Sequence, residues 1–223
     1  MSGIFVTASG TEIGKTFVTR ALILQLRANG RRVHALKPVA TGFEPGAGEP
    51  GDAELLLHAL GRDADAGSIA HVTPWRFRNP LSPDMAAARE RMSIPFHDLV
   101  AFCGEDNGAD VTLIEGIGGV MVPLDGEHTV LDWIVALRAP ALLVVGSYLG
   151  TLSHTLTAAG MLRASGVEIA GIIVNESPEQ PVPAEETAAV IARFTGDVPI
   201  RILPRVDAPE DAPDLLPLVT PFL

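Results

Sequence analysis

Residues Ile4-Phe5-Val6-Thr7-Ala8-Ser9-Gly10-Thr11-Glu12-Ile13-Gly14-Lys15-Thr16 decide how this chain folds. An apolar strand runs into a glycine-containing turn, and Gly-Lys-Thr opens a helix predicted over Lys15–Ala28. N–H groups of the turn and of the helix start converge on one spot, where phosphate oxygens meet aligned dipoles. In such a loop Lys15 brings a point charge to the outer phosphates, and the Thr16 hydroxyl can ligate magnesium. The pattern is irregular: its usual first glycine, five residues before Gly14, is Ser9.

Outward from this loop, short apolar runs alternate with helix-length segments. Strands are predicted at Ile4–Thr7, Val33–Lys37, Val111–Glu115, Ala141–Gly146, Glu168–Asn175 and Ile200–Leu203. Helical patterns cover Lys15–Ala28, Asp52–Leu60, Ile94–Cys103, Val130–Leu137, Leu152–Ala164 and Ala184–Phe194. Asn29-Gly30, Ser165-Gly166 and Thr195-Gly196 supply the helix stops. The strands are apolar throughout, so helices must cover both their faces. These features predict an α/β fold of the P-loop NTPase type, a doubly wound, mainly parallel sheet spanning residues 1–223 as one domain. Ligands should sit beyond the carboxyl ends of the strands. Thr41–Gly51, with four glycines and two prolines, reads as a mobile loop beside the site. Val72–Pro83, with three prolines, reads as an ordered loop over the sheet end.

A formal net charge of −11 argues against a nucleic-acid-binding surface. The acidity of the last third is read as solubility. Cys103 is the single cysteine, which excludes an intrachain disulfide and a cysteine metal site and suits a small core residue. Neither a secretory signal nor an apolar run of membrane-spanning length is evident, so the chain reads as cytoplasmic, with no membrane partner.

Two further elements carry chemistry. Leu113-Ile114-Glu115-Gly116-Ile117-Gly118-Gly119 ends an apolar strand in a carboxylate beside the phosphate loop, followed by glycines that admit a ligand to the backbone. The other reading of that stretch is a tight turn with an incidental Glu. Lys37-Pro38-Val39-Ala40-Thr41-Gly42 ends a buried strand in a lysine aimed at the same site as Lys15. Its alternative is a lysine snorkelling from the sheet edge. Two lysines plus magnesium suit a transition state with negative charge on phosphoryl oxygens. Asp52, opening the next helix, is either an N-cap or a second magnesium carboxylate. The six histidines show no metal spacing, and no Gly-x-Ser-x-Gly nucleophile occurs.

With these elements in view, the chain resembles the dethiobiotin synthases over essentially its whole length. The matching pieces are Thr11–Thr16, Lys37–Gly42, Glu115–Gly119, Leu149-Gly150-Thr151-Leu152-Ser153-His154 and Gly171-Ile172-Ile173-Val174-Asn175, in order. The resemblance implies ATP- and Mg2+-dependent closure of a cyclic urea from 7,8-diaminononanoate and CO2, the penultimate step of biotin synthesis. It implies that Glu12, Ile13, Gly14, Lys15 and Thr16 hold the phosphates, and that Lys37 contacts the carbamate and γ-phosphate. It places Thr16, Asp52 and Glu115 on magnesium, and Thr11, Thr41 and Gly118 at the diamine. Asn175 would read adenine, with Pro204 and Glu210 flanking base and ribose. Gly150, Thr151, Leu152 and Ser153 would receive the substrate's far carboxylate from the partner subunit of a homodimer. Departures from the family pattern are Ala8 for glycine, Gly10 for an acidic residue and Tyr148 for lysine. A partitioning-type ATPase, which would carry a lysine at Gly10, and a non-catalytic nucleotide-binding module are the competing readings.

Overall fold

The computed structural model describes residues 3–44 and 50–223. Thr41–Gly51, expected to be mobile, is described only in part: residues 45–49 lie outside the described residues. Strand β1 (Gly3–Ala8) leads through the loop into helix α1 (Lys15–Ala28), which returns the chain to β2 (Val33–Leu36). After β3 (Val39–Thr41) come α2 (Asp52–Ala59), α3 (Ala66–Val72), β4 (Trp75–Phe77), α4 (Pro83–Glu90) and α5 (Phe96–Gly104). Then β5 (Val111–Glu115), α6 (Val130–Leu137), β6 (Ala141–Gly146), α7 (Thr151–Ala164), β7 (Ile169–Asn175), α8 (Ala184–Thr195) and β8 (Ile200–Leu203) follow. Three short 3-10 turns close the chain.

The six-stranded sheet has the order β2-β5-β1-β6-β7-β8, and every pairing in it is parallel. Alternation along β1 shows how the core is split. Ile4, Val6 and Ala8 face a cluster containing Val18, Leu22 and Leu26 of α1. Phe5 points the other way and meets the Trp133 ring edge-on at 4.8 Å. Helices therefore cover both faces, as the apolar strands require. The connection after β1 leads to β2 on one side of it, and that after β5 leads to β6 on the other. The loops following β1 and β5 part there, which opens a crevice at the carboxyl ends.

The Cβ of Ala8 is absorbed in the core beneath the loop, so the departure from glycine is accommodated. Two sequence expectations need correction, and one of the two readings of Asp52 drops out. The second strand ends at Leu36 rather than Lys37, because the Lys37 N–H donates to Val72 O at 3.1 Å instead of to β5. Val72–Pro83 is not a loop throughout. Trp75–Phe77 forms β4, which pairs in parallel with β3 in a separate two-stranded sheet. Asp52 is not an N-cap: Gly51 takes that place, leaving the Asp52 carboxylate free to turn into the crevice. Helices α3 and α4 were also not anticipated, although Asp65 caps α3 by accepting from Ser68 N and Pro83 opens α4.

Candidate active site

Lys37 leaves the sheet end almost wholly buried, at 3% exposure, and its ammonium group has three partners. It donates to Glu115 Oε1 at 2.8 Å and Gly116 O at 2.9 Å, and pairs with Asp52 Oδ2 at 2.9 Å. Those contacts use its full donor capacity. Burial alone would lower its pKa, but Glu115 and Asp52 overcome that and raise it to about 12. Thr16 Oγ1 lies between the same two carboxylates, 2.8 Å from Asp52 Oδ1 and 2.8 Å from Glu115 Oε1. One hydroxyl proton cannot serve both acceptors at once. Glu115 Oε2 is buried with no partner. A hydroxyl and two carboxylates with spare lone pairs form an oxygen donor set suited to a hard divalent cation. Burial disfavours the Asp52 carboxylate, yet Lys37 and Thr16 hold its pKa below the ordinary value.

Lys15, the first residue of α1, donates to Gly118 O at 2.8 Å and Gly10 O at 3.4 Å. It has no carboxylate in contact. Burial and the neighbouring Lys37 charge lower its pKa to about 8, against a weaker pull from Glu115 and Asp52. Two glycines of the nearby turn leave little room for a side chain. A Cβ on Gly116 would lie 2.7 Å from the Phe5 ring, and one on Gly119 only 3.3 Å from the backbone of Gly10.

Two adjoining clefts sit above these groups. The first, about 440 Å³, is lined by Thr11, Glu12, Gly14, Lys15, Thr16, Lys37, Ala40, Thr41, Asp52, Ile117 and Gly118. The residues predicted for phosphate, magnesium and diamine line it, apart from Ile13, the buried Glu115 and the Gly150–Ser153 run. The second, about 500 Å³, shares Glu12 and Gly14 and adds Ile13, Tyr148, Asn175, Glu176, Ser177 and Arg205 among its walls. Pro204 and Glu210 line neither cleft: Pro204 precedes Arg205, which does, and Glu210 is exposed on a 3-10 turn. Gly150, Thr151, Leu152 and Ser153 also stand apart from both. There Gly150 caps α7, and the Thr151 hydroxyl donates to Gly146 O at 2.7 Å. Ala40, Ile117, Glu176, Ser177 and Arg205 were not anticipated at the site. Glu176 and Ser177 follow Asn175 directly, and only the position of Asn175 at a strand end hinted at them.

A family described as an AAA domain matches residues 2–212. The ATP-dependent dethiobiotin synthetase of Acidiphilium cryptum is 50% identical over 202 residues, covering 89% of this chain and 91% of that protein. The synthetase of the same name from Methylobacterium nodulans is 48% identical over 211 residues, covering 91% of this chain and 92% of its own length. The chain belongs to the ATP-dependent dethiobiotin synthetase family. It is an ATP-dependent ligase of biotin synthesis, and ATP is its co-substrate.

Solved structures agree on the synthetase fold alone. The cell division ATPase MinD of Pyrococcus furiosus superposes with a TM-score of 0.51 at 17% identity, covering 95% of this chain and 84% of that one. The cell division protein FtsY of Thermotoga maritima gives 0.53 at 15% identity, covering 97% of this chain. The chain spans 66% of FtsY's length. Both likenesses are of the fold, a mainly parallel sheet covered by helices. Among the described residues, no helix is long and apolar enough to cross a membrane.

Proposed function

We propose that this synthetase closes the ureido ring of dethiobiotin from 7,8-diaminononanoate and CO2, working as one P-loop domain in each half of a homodimer. One amine of the diamine adds to CO2 and loses a proton, giving a carbamate. A carbamate oxygen displaces ADP from the γ-phosphorus, forming a carbamic–phosphoric anhydride. The second amine attacks the carbonyl carbon, inorganic phosphate leaves, and loss of a proton completes the cyclic urea. The substrate supplies both nucleophiles, so the protein's part is to position them and stabilise charge.

The observation that carries this reading is the buried Lys37 ammonium, fixed at the wall of the same cleft as Lys15. A protein that merely binds nucleotide needs no second lysine there. In this reading Lys15 and the N–H groups of Glu12, Ile13 and Gly14 hold the phosphates. Lys37 spans carbamate and γ-phosphate by exchanging its contacts to Asp52 and Gly116 O for the incoming anions, and Thr11, Thr41 and Gly118 border the diamine. Thr16, Asp52 and Glu115 fit magnesium through the donor set described above, and the ion would supply charge neutralisation to the phosphates. Asn175 faces the base, with Pro204 and Glu210 at its outer margin. Gly150–Ser153 of each subunit then offers its helix start to the carboxylate of substrate bound by the other. That fits their position off both clefts of their own chain.

Purified protein should release phosphate from ATP only when 7,8-diaminononanoate and CO2 are both supplied. ATP turnover indifferent to the diamine would sink the assignment.

A further inference from the structure

Asn175 does more in this structure than border a base-sized cleft. Its side-chain Nδ2 donates to Ile13 O at 2.9 Å, across 162 residues of sequence. The segment it touches is unusual backbone. Glu12 has φ 58° and Gly14 has φ 93°, flanking Ile13 with left-handed conformations that cost a non-glycine residue energy. A Cβ on Gly14 would collide with the same Nδ2 atom, so amide and loop are in direct contact on both counts. The anchor is rigid. Asn175 ends β7, in register with Gly146 of β6 and Leu203 of β8, so its backbone is fixed from both sides.

We infer that Asn175 is a positioning residue for the phosphate loop, holding Glu12–Gly14 in the shape that aims its N–H groups at phosphate. This rests on the nucleotide-binding reading above and goes further than base recognition. An amide has two N–H donors and one acceptor oxygen, and the contact to Ile13 uses one donor. The second N–H and Oδ1 remain for a base. Asn175 lines the second cleft, and the loop segment it holds, with Glu12 and Gly14, is the wall that both clefts share.

The test separates base from phosphate by using inorganic triphosphate, which has no base. With magnesium present, Asn175→Ala should weaken triphosphate binding about tenfold in calorimetry, and ATP binding by at least as much. Asn175→Asp keeps the side-chain size but removes the donor, and should lose triphosphate affinity to a similar degree. Independently of any ligand, amide hydrogen exchange in a peptide covering residues 9–18 should speed up in both variants while the core peptides stay protected. Unchanged triphosphate affinity with weakened ATP binding, or unchanged exchange in the loop, would overturn the inference and leave Asn175 a base reader. Wild-type protein that bound neither triphosphate nor ATP would overturn the nucleotide reading beneath it as well.

Discussion

Lys37 and Lys15 stand on the walls of one cleft with the same charge, yet the protein holds them in opposite ways. Lys37 is paired with Glu115 and Asp52, and its pKa is raised to about 12. Lys15 meets only carbonyl oxygens, and burial beside Lys37 lowers its pKa to about 8. One charge is balanced inside the protein. The other is desolvated and left for an anion to complete, which suits a group that must take up phosphate oxygens. A second positive charge is therefore tolerated beside Lys15, because Glu115 and Asp52 compensate it.

The largest effect that would sharpen this contrast comes from Lys37→Met. Turnover should fall by about 10³-fold or more, as when a transition-state charge donor is removed. Stability in denaturant should fall by about 3–5 kcal/mol, because Glu115 is left buried without its cation. Lys15→Met should reduce turnover by about 10²-fold or more. Its unfolding free energy should nevertheless stay within about 1 kcal/mol of wild type, since the lost carbonyl contacts are offset by relief of a desolvated charge. Equal destabilisation by the two substitutions would break the contrast.

The smallest effect is in the pH dependence of the ligand-free protein. The folded pKa of Lys15 lies below its unfolded value, so the unfolded chain binds more protons between about pH 8 and 10.5. Stability from this group therefore rises with pH across that window, by on the order of 3 kcal/mol at most. Lys37, facing Glu115 and Asp52, has its folded pKa above the unfolded one, so its contribution is lost between 10.5 and about 12. Denaturation curves at closely spaced pH values should show the rise in wild type and its absence in Lys15→Met. A rise that persists in that variant assigns the effect to another group.

Most of the architecture was legible locally. All six predicted strands and six predicted helices are present, because fully apolar strands and helical periodicity are written in neighbouring residues. The elements missed were short or paired at a distance. Val39–Thr41 and Trp75–Phe77 are three residues each, and each becomes a strand only because the other lies beside it. Asp65-x-x-Ser68 and Ser82-Pro83 did mark the starts of α3 and α4, but both helices are short and lack the run of large apolar residues that made α2 and α6 readable. At the site, the residues bound to a motif were readable and those bound to a shape were not. Arg205 borders the second cleft only because β8 pairs with β7.

Read along the chain alone, an apolar strand, a glycine turn and Lys15-Thr16 mark a phosphate-loop pattern, and Lys37 and Glu115 each close an apolar run. Local sterics and periodicity suffice for that, since each rule acts within a few residues. Which charges are already paired was set by packing in space. That Lys37 is neutralised by two carboxylates while Lys15 is not depends on two strand ends and two helix starts meeting within hydrogen-bond distance. The tether from Asn175 to Ile13 has the same origin. Electrostatic energies follow distance and burial in space, and neither can be read from spacing along the chain.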